Sequence, residues 1–65
     1  MTTAVAAAIR ERARSVWQAL GEARRDDDAH ATLLAADDWD EVQRLARAHG
    51  VNLDDITGGK DDQSA

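Results

Sequence analysis

The residues with the most chemistry to offer are carboxylates, and they cluster: Asp26-Asp27-Asp28 with His30 close behind, then Asp37, Asp38, Asp40 and Glu41. The first cluster has metal-ligand residue types. It lacks the spacing of a calcium-binding loop, and no second histidine follows His30 at the four-residue helical step that a zinc site on one helix face would need. Helix caps and a solvated turn account for it. The second cluster has the pairing used in acid–base catalysis, which requires a pocket that drives two carboxyl pKa values apart. A chain of 65 residues with so few large apolar side chains does not enclose one. Ser15 and Ser64 have no base partner in the sequence, and there is no cysteine for a thiol nucleophile, a thiolate site or a disulfide. Neither a catalytic residue nor a metal or cofactor site is expected, and the chain is not expected to be an enzyme.

Arg10, Arg12 and Arg14 suggest phosphate binding, but on a helix they spread around the cylinder, with little aromatic interleaving for base stacking. Residues 28–50 have the outline of a helix–turn–helix. The second helix would begin Asp38-Trp39-Asp40-Glu41, which repels phosphate where a recognition helix offers cations or amides. Direct nucleic-acid binding is therefore not expected. Trp17 and Trp39, the only aromatics, either pin the core or supply a partner-binding anchor.

These residues need a scaffold, and composition limits it. Hydrophobic residues make up 43% of the chain, but about half of them are alanines, which contribute little burial. The remainder suffice for one thin core without a disulfide to staple it. Net charge is −5, divided as five Arg against two Glu in residues 1–25 and three basic against eleven acidic groups in 26–65. The acidic half is either a solvated surface or a complement to a basic protein groove. The apolar start lacks a basic leader and is cut short by Arg10 and Glu11, unlike a signal peptide or membrane span. A cytoplasmic monomer without membrane contact is expected.

Apolar spacing places the longest helix over 3–24, with Val5, Ile9, Ala13, Val16 and Leu20 on one stripe and Thr2 or Thr3 as cap. A short helix follows over about 29–36. Asp38 is expected to cap a third, with Glu41 in capping-box register. Gly50 suits a left-handed C-terminal cap with Val51 making the Schellman contact, and Asn52 suits capping of one further turn containing Leu53 and Ile56. With no proline and no strand-period segment, the class is all-α: a small bundle of three helices with a disordered C-terminal tail. Residues 1–57 form the helical domain, and 58–65 a flexible tail entered through Gly58-Gly59.

Asp26, Leu33, Ala36-Asp37, the helix through Ala46 to Gly50, then Val51, Leu53 and Asp54-Asp55 follow one another in an order that resembles the Nif-eleven-like leader peptides. Those are recognition segments of ribosomally made, post-translationally modified peptides. The resemblance covers about residues 26–56. Such leaders commonly end in a double glycine. With Gly59 as the last leader residue, Ile56, Leu53, Ala48 and Leu45 fall four, seven, twelve and fifteen places from the cleavage point. Gly58-Gly59 is either a processing boundary that threads a narrow active site or simply a glycine-rich helix exit.

The resemblance implies a leader or scaffold peptide gripped by a modifying enzyme or peptidase. Trp39, Val42, Leu45, Leu53 and Ile56 would form the recognition face, with Gly58 and Gly59 the processing boundary. Lys60–Ala65 has no Cys or Thr and one Ser, a poor substrate for lanthionine or azole formation. Either the modified segment follows beyond Ala65, or the chain resembles the carriers of peptide aminoacyl-tRNA ligases, with Ala65 as the point of extension. The alternative class is a small acidic interaction or regulatory module of antitoxin-like character.

Overall fold

The computed structural model describes residues 3–58, and these are all-α. Helix α1, Ala4–Arg25, forms where strong helix formers run without proline. The Thr3 hydroxyl oxygen accepts from the Ala6 N–H at 3.0 Å and closes one of the four otherwise unpaired donors at the helix start. Arg24 and Arg25 occupy the last turn, where the carbonyl end of the helix favours cations.

The three aspartates then reverse the chain. Asp28 N–H donates to the Ala23 carbonyl at 2.9 Å and Asp27 N–H to the Arg24 carbonyl at 3.1 Å, while Asp27 takes the left-handed conformation at φ 59°. This is a Schellman closure with aspartate in the position glycine usually fills. Asp28 also caps helix α2, Ala29–Ala48, its carboxylate accepting from the Ala31 N–H at 3.0 Å. One residue thus ends α1 and begins α2, which makes the reversal short and the two helices antiparallel neighbours.

The expected boundary between a helix over 29–36 and another capped by Asp38 does not exist. Asp38 and Glu41 lie inside α2, which continues through them. A break there would leave a new set of helix-end amides and carbonyls without partners. Aspartate costs only tenths of a kcal/mol against alanine in a helix interior. Continuity also keeps Ala35, Val42 and Ala46, all buried, on one stripe facing α1. The architecture is therefore two long helices and a one-turn third, α3, Asp54–Thr57; the expected short helix and the one after it are a single helix.

The end of α2 follows expectation. Val51 N–H donates to the Ala46 carbonyl at 2.8 Å and Gly50 N–H to the Arg47 carbonyl at 3.3 Å, with Gly50 left-handed at φ 66°. Asn52 Oδ1 accepts from the Asp54 N–H at 2.8 Å and starts α3. The chain after Gly58, including the expected flexible tail, lies outside the described residues.

The buried set is Ile9, Ala13, Leu20 and Ala23 of α1 with Ala35, Val42 and Ala46 of α2. Trp17 and Trp39 close one edge of this seam as a tilted pair with ring centroids 5.0 Å apart. Such offset aromatic pairs add about 0.5–1.5 kcal/mol beyond the area they bury.

Two of the three left-handed positions among the described residues, Gly50 and Asp27, should respond oppositely to substitution. A Cβ on Gly50 would meet no atom within 4 Å, so Gly50→Ala is penalised by backbone strain alone, a loss of about 1 kcal/mol. Asp27→Gly relieves the same strain at the other turn and should gain about 0.5 kcal/mol after the greater freedom of glycine in the unfolded chain is counted. Thermal unfolding followed by circular dichroism should show Gly50→Ala lowering the midpoint by about 4–8 °C and Asp27→Gly raising it by about 2–4 °C.

Candidate functional site

The α1–α2 pair has two long edges, and α3 covers part of one. Trp17 and Trp39 mark this edge. Arg10 crosses from α1 to hold the returning chain: one guanidinium nitrogen donates to the Asn52 carbonyl at 2.7 Å, and the other to the Asp55 carboxylate. A fork engaging a backbone oxygen and a carboxylate together fixes both position and orientation of the turn. The arrangement leaves two shallow depressions. One is lined by Arg14, Trp17, Gln18, Asp55 and Ile56, and the other includes Gln43, Arg47, Val51 and Leu53.

The five residues expected to form one recognition face are distributed differently. Trp39, Leu53 and Ile56 lie half-buried on or beside the α3 edge. Val42 has no exposure and packs in the seam, so in the closed hairpin it supports the surface from within. Leu45 is 37% exposed, one helical turn beyond Glu41, which faces Arg12 across the opposite edge at 3.8 Å. Gly58 is the left-handed cap of α3, its N–H donating to the Asp54 carbonyl at 2.9 Å. Gly59 and Ala65 lie outside the described residues.

The acidic clusters take structural positions. Asp26, Asp27 and Asp28 make the α1–α2 reversal, Asp40 pairs with Arg44 one turn on, and Glu41 faces Arg12. Among the described residues no group of three or more His, Cys, Asp or Glu could hold a metal ion. His30 and His49 are exposed. The three arginines diverge, Arg10 to α3, Arg12 to Glu41 and Arg14 to Glu11. No helix among the described residues is long and apolar enough to cross a membrane.

Two features escape a reading of residue types. Arg10 spans more than forty residues of sequence to reach its partners, and no local pattern announces that pairing. Leu33 and Leu34, natural core candidates, are 63% and 53% exposed, because the inward stripe of α2 is already filled by Ala35, Trp39, Val42 and Ala46. Leu33 instead borders a shallow groove beside the reversal with Arg24, Thr32 and Ala36.

Electrostatics at the latch follow its geometry. The hydrogen bond from Arg10, assisted by its charge, holds the Asp55 carboxyl below the ordinary aspartate range, and the Arg10 guanidinium rises correspondingly. No family model matches the chain, and no curated protein or solved structure matches it.

Because the folded-state pKa of Asp55 is depressed, its contribution to the latch is complete above about pH 5, where the unfolded carboxyl is also ionised. It is lost as pH falls through the lower folded value. Amide exchange of Ile56 to Gly58 should therefore accelerate, relative to the middle of α2, between about pH 5 and pH 2.5 after correction for intrinsic exchange. Asp55→Asn should show the loosened turn at every pH in that interval. Equal protection at both ends in the unsubstituted chain would contradict the assignment.

Proposed function

We propose that the chain is a leader or scaffold peptide: a helical handle through which a modifying enzyme or peptidase of ribosomal-peptide biosynthesis holds its substrate, acting in the cytoplasm. The observation that carries this reading is the α3 turn. It presents Leu53 and Ile56 half-buried and is pinned to α1 by Arg10. It ends in left-handed Gly58, directly before Gly59 in sequence. A recognition element needs apolar anchors at fixed distances from the bond or carboxylate to be processed, and a turn fixed to a rigid hairpin supplies that ruler.

In this reading the enzyme does the chemistry and the chain supplies position. Trp39, Leu53 and Ile56 provide the apolar contact on the α3 edge, Leu45 adds to it from the other side of α2, and Val42 keeps α2 seated. Asp54 and Asp55 give the acidic rim that a basic groove would attract. Gly58-Gly59 passes through a constricted site because neither residue carries a side chain. The segment from Lys60 to Ala65 is what the enzyme then cleaves free or extends at the C-terminal carboxylate. No cofactor is required of the chain itself.

The test is intact-mass spectrometry of the chain co-expressed with enzymes encoded beside its gene. Cleavage after Gly59, or a mass gain mapping to residues 60–65, is the expected result. Leu53→Asp with Ile56→Asp should weaken enzyme binding by about tenfold per anchor, each half-buried side chain being worth about 1.5 kcal/mol, while α1 and α2 stay helical. A chain left unmodified and uncleaved by every neighbouring enzyme would return it to the class of small acidic interaction modules.

A further inference from the structure

The edge of the hairpin opposite α3 is also patterned. Val5, Arg12, Val16 and Ala19 recur at seven-, four- and three-residue steps and form one stripe of α1. Leu34, Asp38, Glu41 and Leu45, at four-, three- and four-residue steps, form one stripe of α2. The Arg12–Glu41 contact at 3.8 Å sets these stripes side by side. Trp17 and Trp39 follow Val16 and Asp38 directly in sequence, so they sit about 100° further round their helices, toward the α3 edge. Val16 is half-buried, but no described element lies over the rest of the stripes. Val5 is 50% exposed, Leu34 53% and Leu45 37%.

We infer that this face is closed by a second copy of the same chain, giving an antiparallel four-helix dimer. The first reason is architectural. Among the described residues the fold is one pair of long helices with a one-turn third helix against α1, and no further element lies over the pair. Stable domains bury a core between two layers. A hairpin with large apolar side chains on its open face is half of such an arrangement.

The second reason is that the face complements itself. A two-fold axis parallel to the helices, over the groove between them, lays α1 of each copy on α2 of the other and preserves height along the helices. Measured from the Arg12–Glu41 level at about 1.5 Å per residue, Leu45 stands about 6 Å along, level with Ala8. In the other direction Leu34 stands about 10 Å along, level with Ala19. Ala8 and Ala19 are both exposed. The operator therefore places each copy's two leucines over the other's two alanines, large on small, as interdigitating layers require. Arg12 of each copy meets Glu41 of the other at the centre.

An unrelated partner would need this alternation of leucine, alanine and opposite charge by coincidence; a second copy has it by construction. The sequence-based expectation is a monomer; in the single chain, however, Val5, Leu34 and Leu45 stay exposed. The interface takes Leu45 out of the apolar surface offered to an enzyme but leaves the Trp39–Leu53–Ile56 edge open, so the leader role would rest on that edge alone.

The purified chain without any partner enzyme suffices for the test, so its outcome is separate from that of the co-expression experiment. Sedimentation equilibrium from about 10 µM to 1 mM should show the mass rising from one 7.0 kDa chain to two, about 14 kDa. Leu34→Glu keeps a strong helix former on an exposed position and should hold the chain at 7.0 kDa with undiminished helicity. Arg12→Glu should raise the dissociation constant about tenfold by setting two like-charge contacts, and Glu41→Arg added to it should restore the dimer. A wild-type chain of 7.0 kDa throughout overturns the inference. So does a dimer that Leu34→Glu and Arg12→Glu both leave intact.

Discussion

Four of the seven buried hydrophobic side chains are alanines, and the close approach of α1 to α2 that they permit determines most of what else the chain does. Small residues at a helix–helix contact bring the backbones together but leave few methylenes to bury. The seam therefore specifies alignment more than it supplies stability. Val42 is the one larger side chain fully enclosed by it, and the tilted Trp17–Trp39 pair closes its α3 edge. The large apolar groups that the seam does not use, Val5, Leu33 and Leu34, remain at the surface as a direct consequence.

The same constraint explains why polar contacts carry so much of the organisation. A one-turn helix has no independent stability, since helix nucleation is unfavourable and four residues form too few hydrogen bonds to offset it. The turn persists through Asn52 at its start, Gly58 at its end and the Arg10 fork from α1. All three are hydrogen-bonding devices at exposed or partly exposed sites, individually weak and cooperative only while α1 and α2 stay aligned. The α1–α2 reversal works in the same way, with Asp28 serving both helices at once.

Local signals carried through to the structure where one residue settles the geometry by itself. Thr3 and Gly50 with Val51 act within three to five residues of chain in the roles legible from sequence. Asn52 instead bonds Asp54, two residues on, from a position one before the N-cap, Leu53. Asp38 with Glu41 shows the limit of such signals. A capping box and a mid-helix pair of acids are the same residues at the same spacing. What separates them is whether Ala35 and Val42 face the same neighbour, which is a property of α1 and not of α2. Arg10 was illegible for a related reason, since its partners are set by how far α2 carries the chain back. The candidate site was legible as a set of residues but not as a surface: the stripe through Val42 is used inward, which separates Leu45 from Leu53 and Ile56.

That separation gives the hairpin two independent edges with different physical character. The α3 edge is half-buried, hydrogen-bonded and held by a single guanidinium fork, so it can be opened without unfolding α1 and α2. The opposite edge projects from the two long helices themselves, and its pattern of leucine, alanine and paired charge is the one proposed to meet a second copy. In the proposed leader role the anchors Leu53 and Ile56 sit on the α3 turn, and the Arg10 fork keeps them at a set distance from Gly58-Gly59 while the alignment of α1 and α2 carries the rest. Closure of the opposite edge by a second copy would strengthen that asymmetry. It would stabilise α1 and α2 and leave the turn before Gly58 as the part of the described fold that opens first.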